Sequence, residues 1–256
     1  MEEVSPGTTS IEYMRRIGEF ILFMQKADGS FYSKFIPSKG GRDDSWVSLY
    51  YPGEAALGLL MLFEKERSLK WLQAASDSIA YLARIRKGNK QVEADHWALL
   101  ATAKLLPYYQ LCQQPLPQKA IEHHAIQICE SILNGRPKNY SNSLYVGCFT
   151  DDGRTTPTSI RLEGLLAAND FLATESTALQ KRMIPYIDEG LAFLLRAQIK
   201  SGPYAGGIPR AIQGLPKNHP HFDPSFNRRA TEVSFDYVQH ALSAMLQYKT
   251  GFSESP

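Results

Sequence analysis

Residues Ser45 to Glu64 read SWVSLYYPGEAALGLLMLFE, and the reading of this stretch decides the fold. It predicts a helix that starts sharply at Pro52, because proline lacks an N–H that a first helical turn leaves unbonded anyway. Glu54 then falls in the first turn, where the helix dipole favours an anion. Beyond it the sequence is apolar nearly all round, the pattern of a buried helix. Ala55, Ala56 and Gly58 are small enough to admit a close neighbour. Three later stretches share this character: Val92 to Leu106, Pro157 to Leu172 and Thr231 to Tyr248. All four are expected as inner helices.

Working outward, the stretches between them are amphipathic and read as outer helices. Ile11 to Lys26 carries Ile11, Met14, Ile17, Ile21 and Met24 at helical spacing, one core-facing stripe, with Thr9 or Ser10 as its cap. Leu69 to Arg86, Ala120 to Leu133 and Ser176 to Gln198 follow, and Pro185 predicts a kink or break near Met183. Ser143 to Phe149 followed by Asp151-Asp152-Gly153 reads as a small β-hairpin over 143–153. Ile199 to Ala230 is a long connection of the kind that is usually functional or mobile. The fold class is therefore all-α: four outer–inner helical hairpins in one domain over 9–250, with a disordered lead at 1–8 and a tail at 251–256.

The first outer helix ends in Gln25-Lys26-Ala27-Asp28-Gly29-Ser30-Phe31, and Gln198, Gly202 and Tyr204 reproduce its spacing. Together with Tyr50-Tyr51-Pro52-Gly53-Glu54, this outer-to-inner pattern resembles the α/α-toroid superfamilies. These comprise the six-hairpin glycosidases, related polysaccharide lyases and sugar epimerases, and the terpenoid-cyclase and prenyltransferase toroids. The resemblance implies a toroid-like array and a carbohydrate-metabolic role, with hydrolase chemistry as one form. Such toroids close with five to seven hairpins, whereas four are counted here, so the ring is open or small, or the chain is a piece of a larger protein.

Composition narrows the function. The 256 residues are 43% hydrophobic and 21% charged, with a formal net charge of +2, so no clustered positive surface for nucleic acid is implied. Cys112, Cys129 and Cys148 lack metal-ligand spacing and read as reduced core residues. The polar N-terminus MEEVSPGTTS has no signal-type h-region and no apolar run is long enough to span a bilayer, which places the chain in the cytoplasm and away from membranes. No Walker loop, dinucleotide fingerprint or G-x-S-x-G is present, so no cofactor is expected. His219-Pro220-His221-Phe222-Asp223 has a ligand-like spacing, but the intervening proline argues against a metal.

If the inner helices point their first turns at one mouth, that mouth gathers Glu54, Asp95, His96 and Asp236 as catalytic candidates. Trp46, Tyr51, Arg161, Glu163, Tyr237 and His240 then become substrate-binding candidates. Carboxylates, imidazoles and aromatic rings suit a saccharide, which offers hydroxyls for hydrogen bonds and C–H faces for stacking. Two carboxyls could serve as acid and base or as acid and nucleophile, with Glu54 paired to Asp236 or Asp95. In an elimination or epimerisation, Tyr51 or His96 would take the proton while Arg161 neutralises a carboxylate. Each acid also has a simpler explanation in the helix dipole. Connecting segments 28–49, 87–92, 135–155 and 199–230 hold thirteen Lys or Arg against six acids, which favours an anionic sugar such as a uronate. Two alternatives stand beside this reading. One is a non-catalytic helical-repeat module that binds a partner; an open array of this kind could also pair as a homodimer. The other is a terpenoid-cyclase-like toroid using Asp43-Asp44 or Asp151-Asp152.

Overall fold

A computed structural model describes residues 9–140, 142–172 and 177–252. Among these residues the chain forms nine α-helices and one two-stranded antiparallel sheet. The expected lead at 1–8 lies outside the described residues, as does the tail from 253 onward. The described residues group into two compact units that divide between Gln127 and Ile128. No described helix is long and apolar enough to cross a membrane.

Unit 1 contains α1 (Ile11–Met24), α2 (Tyr51–Glu66), α3 (Leu69–Arg86) and α4 (His96–Leu105). Ser10 caps α1 by accepting from the Glu12 N–H at 3.2 Å. Pro52 sits in the first turn of α2, and the Ser48 hydroxyl accepts from the backbone of both Tyr50 and Tyr51 at 3.2 Å. The close approach expected on α2 comes at Gly53, where a Cβ would lie 2.7 Å from the Ala98 nitrogen of α4; Gly58 has nothing within 4 Å. The stripe expected on α1 is also only partly buried. Ile17 is 64% exposed, because α1 meets its neighbours along a narrow line through Gly18, where a Cβ would strike Leu62 and Trp71. The connection from α1 to α2 holds β1 (Lys34–Ile36) and β2 (Gly41–Asp43), with Phe35 opposite Arg42.

Unit 2 contains α6 (Thr155–Leu172), α7 (Thr177–Ala197), the short α8 (Pro224–Arg229) and α9 (Phe235–Phe252), while the dividing point falls inside α5 (Gln118–Asn134). Helix α7 runs through Pro185 without a break. The hairpin expected at 143–153 is instead a 3₁₀ turn at Ser143–Tyr145 followed by bends, because Asn142 caps the Leu144 N–H and closes the chain locally. The last of the helices expected as inner starts at Phe235, not near Thr231: residues 230–233 are drawn into bridges with the long connection, Ala211 N to Ala230 O and Arg210 N to Glu232 O. It is not buried all round, with Phe235, Leu242 and Leu246 exposed. That connection is stitched to the start of α6 as well, by Thr155 Oγ1 donating to Pro209 O at 2.6 Å.

Both units contain the same helix-to-glycine joint. Gly29 has φ +90°, and a Cβ there would fall 2.3 Å from the Asp77 carbonyl oxygen and 3.3 Å from the Tyr81 Cβ on α3. Gly147 has φ +93°, and its Cβ would meet the Glu189 carbonyl oxygen and the Phe193 Cβ on α7 in the same way. Arg84 donates to the Asp28 carbonyl and Arg196 to the Val146 carbonyl, each acceptor being the residue before the glycine. The joints read Gly29-Ser30-Phe31 and Gly147-Cys148-Phe149, with both phenylalanines buried. In its contact with a helix carbonyl, Gly29 is thus matched by Gly147, while in its bond to a glutamine side chain it is matched by Gly206, since Gln25 bonds the Gly29 carbonyl and Gln198 that of Gly206. At the expected counterpart, Gly202 is open, Tyr204 is 75% exposed, and Gln198 bonds the Gly206 carbonyl.

Candidate functional site

Unit 1 brings three anticipated residues together at the start of α2. Trp46 and Tyr51 meet edge to face at 5.6 Å and 78°, and both rings are nearly half exposed. Tyr51 and Glu54 line a groove of about 240 Å³ whose other walls are Phe20, Met24 and Tyr32. The rim carries cations over rings: Lys34 lies 5.2 Å from the Trp46 centroid and Arg42 lies 5.1 Å from that of Tyr32. An exposed aromatic pair beside a carboxylate can stack a sugar face and address its hydroxyls.

Asp95 goes elsewhere. It is the N-cap of α4, completely buried, accepting from the Ala98 N–H at 3.1 Å and from Arg86 Nη2 at 2.8 Å. Burial pushes its carboxyl pKa upward, against the pull of Arg86 and the cap. Arg86 also reaches His124, Nη1 to Nε2 at 3.3 Å, so that imidazole accepts in its neutral form. Burial and the Arg86 charge hold the His124 pKa down at about 3. His96 is buried among rings, 5.7 Å from Tyr50 and 4.7 Å from Trp97.

Unit 2 gathers a different set. Glu163 on α6 is buried, with its Oε2 2.8 Å from His240 Nδ1 on α9. The other ring nitrogen of His240 lies 3.4 Å from Asp236 Oδ1, one turn earlier on α9, and the Asp236 side chain is exposed. Burial works against a charged His240, but the Glu163 bond and charge, with Asp236, outweigh it and raise its pKa above the ordinary 6.5. A buried carboxylate, an imidazole and an exposed carboxylate in line form an acid–base arrangement in which Glu163 fixes the ring and Asp236 meets solvent. Tyr237 is on the same helix and donates to Glu232 at 2.9 Å. Arg229 and Tyr237 together hold the Glu232 pKa down to about 2.

Arg161 donates from Nη1 to the Phe149 carbonyl at 2.8 Å and lines a polar groove of about 510 Å³ with Asn139, Thr150, Asp151, Arg154 and His221. The Asp-Asp pairs are used locally: Asp44 binds Lys26, Asp43 binds the Ser45 turn, and Asp152 binds Arg154. In the His-x-His-x-Asp stretch, Asp223 caps α8, His221 faces Asp151 at 3.3 Å and His219 contacts the Asp151 carbonyl. Arg86 and His124 were not anticipated as an Asp95 clamp. A basic residue in the last turn of a helix is ordinary, and nothing local in the sequence joins Arg86 to His124. Comparison with known proteins adds no assignment: no family model, no curated protein and no solved structure matches the chain.

Proposed function

We propose that the chain is a carbohydrate-active protein that binds a saccharide at the Trp46–Tyr51 groove and acts on it by acid–base chemistry. One observation carries this reading: Tyr51, which with Trp46 forms an exposed edge-to-face pair, lines a groove whose wall also includes Glu54. The rings supply C–H stacking, Glu54 supplies a proton-transfer or hydroxyl-binding group, and Lys34 beside Trp46 favours an acidic sugar over a neutral one. The Asp236–His240–Glu163 arrangement in unit 2 supports an acid–base role for that unit. The Asp95 candidate is not retained in the mechanism, because its carboxylate is committed to Arg86 and to the α4 cap.

A thermal-shift series with neutral and uronic-acid oligosaccharides tests the reading. A ligand at a hundred times its dissociation constant adds about 2.7 kcal/mol, worth several degrees in a domain of this size. Trp46→Ala should abolish the shift, and Glu54→Gln should abolish reducing-end release while keeping the shift. No shift with any saccharide would sink the proposal. The second reading, a non-catalytic interaction module, is favoured by the exposed cluster of Phe20, Phe23 and Phe35, whose rings lie 5.7–6.0 Å apart. That outcome would appear as a partner captured through these rings with no saccharide effect.

A further inference from the structure

A second groove of unit 1 runs between α1 and α2 and differs in character from the aromatic groove at Tyr51. It holds about 320 Å³, and its walls are Met14, Ile17 and Ile21 from α1 with Leu59, Met61 and Leu62 from α2. Dry apolar cavities of about 150 Å³ already take benzene, and small-molecule sites begin at about 300 Å³. Gly58 lines this groove and keeps it open. It stands in the middle of α2, where glycine is less stable than alanine, and a Cβ added there would meet nothing within 4 Å. Gly18 and Gly53 differ, since each admits a neighbour at a distance that a Cβ would block. Neither packing nor a left-handed backbone requires glycine at position 58, so what the missing side chain provides there is space.

The groove carries charge at one end. Among the described residues Lys65 is the single charged group in its lining, two turns beyond Gly58 on the same face of α2. The acids beside Lys65 in sequence are engaged elsewhere: Glu64 with Lys104 at 2.7 Å, and Glu66 with Arg15 and with the Trp71 indole N–H, both at 2.8 Å. In the other direction Glu54 lies one turn before Gly58, which disfavours a negative head at that end. From Gly58 to Lys65 the helix rises about 10 Å, a path for a chain with apolar walls on both sides. Those walls would leave the hydroxyls of a polar ligand unpaired. We infer that this groove binds a single-chain aliphatic carboxylate, with its chain laid over Gly58 between α1 and α2 and its carboxylate beside Lys65. The site goes beyond the proposed function: it uses none of Trp46, Tyr51 and Glu54, and the two grooves share only Ile21.

Isothermal titration of the full chain with hexanoate, octanoate, decanoate, decanol and decylamine, each below its micelle concentration, tests it. Affinity should rise about 4-fold for each added methylene until the groove is full. Decanoate should bind about 5-fold or more tightly than decylamine, which has the same chain and the opposite charge. Lys65→Gln should weaken decanoate about 2- to 5-fold and leave decanol unchanged. Gly58→Leu should weaken decanoate about 10-fold or more by occupying its space, yet melt no lower than the natural chain, because its Cβ is unopposed and leucine is the better helix former. In the natural chain carrying isotope-labelled methionine methyls, the Met14 and Met61 resonances should move with decanoate, and that of Met183 in unit 2 should not. This last arm needs no substitution and stands if a variant fails to fold. No binding of any carboxylate, an affinity indifferent to chain length, decylamine bound as tightly as decanoate, decanoate binding unchanged in Gly58→Leu or in Lys65→Gln, or unmoved Met14 and Met61 methyls would each overturn the inference. Trp46→Ala should change nothing here. A saccharide shift that depends on Trp46, in a chain that binds no decanoate, would overturn this site alone and leave the proposed function standing.

Discussion

His124 in unit 1 and His240 in unit 2 are both buried, and their neighbours drive them in opposite directions. His124 faces the permanent cation of Arg86 and is held neutral, with a pKa of about 3. His240 faces Glu163 and Asp236, which outweigh burial and raise its pKa above the ordinary value. Burial opposes the charge on both rings; the sign of one adjacent charge decides the outcome. The first arrangement is a structural clamp around Asp95 that cannot move a proton near neutral pH. In the second, the outer carboxylate, Asp236, meets solvent. The acids at the starts of α4 and α9 are thus linked, one through Arg86 and one directly, to histidines whose pKa values move in opposite directions.

The largest expected effect lies on the acid side. Between pH 6.5 and about 3 the unfolded chain takes up a proton at His124 that the folded chain refuses, so stability falls as pH falls through this window. A shift of this size sets a ceiling of about 5 kcal/mol. Urea unfolding as a function of pH should show a smaller acid loss for His124→Gln than for the natural chain, and equal slopes would remove the clamp from the comparison.

The joints come next. Gly29→Ala and Gly147→Ala put a Cβ at positive φ and into a helix carbonyl, a combination worth about 2–5 kcal/mol. Gly202→Ala, at positive φ but in open space, should cost only about 1 kcal/mol. Three similar melting temperatures would show that the matched joints of the two units do not carry the packing assigned to them.

The smallest effect tests the second histidine. The stabilisation from a raised His240 is complete below pH 6.5 and is lost as pH rises through its folded pKa. Glu163→Gln should remove that alkaline loss together with about 1.5–3 kcal/mol at neutral pH, the contribution of a hydrogen bond to a charged group. The ring-proton resonance of His240 should then titrate at a lower pH. An unmoved titration would show that Glu163 does not hold this ring.

How much of this was legible before the fold was known differs between elements. The helices themselves and the cap-like start at Pro52 follow from apolar periodicity and from proline's missing N–H, which are properties of a few consecutive residues. The grouping of Trp46, Tyr51 and Glu54 was equally accessible, since nine residues and one helix start bring them together. The hairpin predicted at 143–153 does not form, because Asn142 offers the chain a local bond that competes with strand pairing. The repeat was matched to Gly202 because spacing from a glutamine was visible, whereas the carbonyls that require Gly29 and Gly147 belong to α3 and α7, some forty residues or more along the chain.

Helix content, the order of the helices and the residue types at each helix start are local quantities, and the amino-acid order carries them unaided. Which acid is buried and which is exposed is a different kind of quantity. Asp95 and Asp236 occupy similar positions at helix starts. Arg86 arrives over one from the far end of α3, while α6 brings Glu163 to the histidine beside the other. Only packing between helices distant in sequence sets the neighbouring charge, and that charge decides whether the pKa of a buried histidine falls or rises.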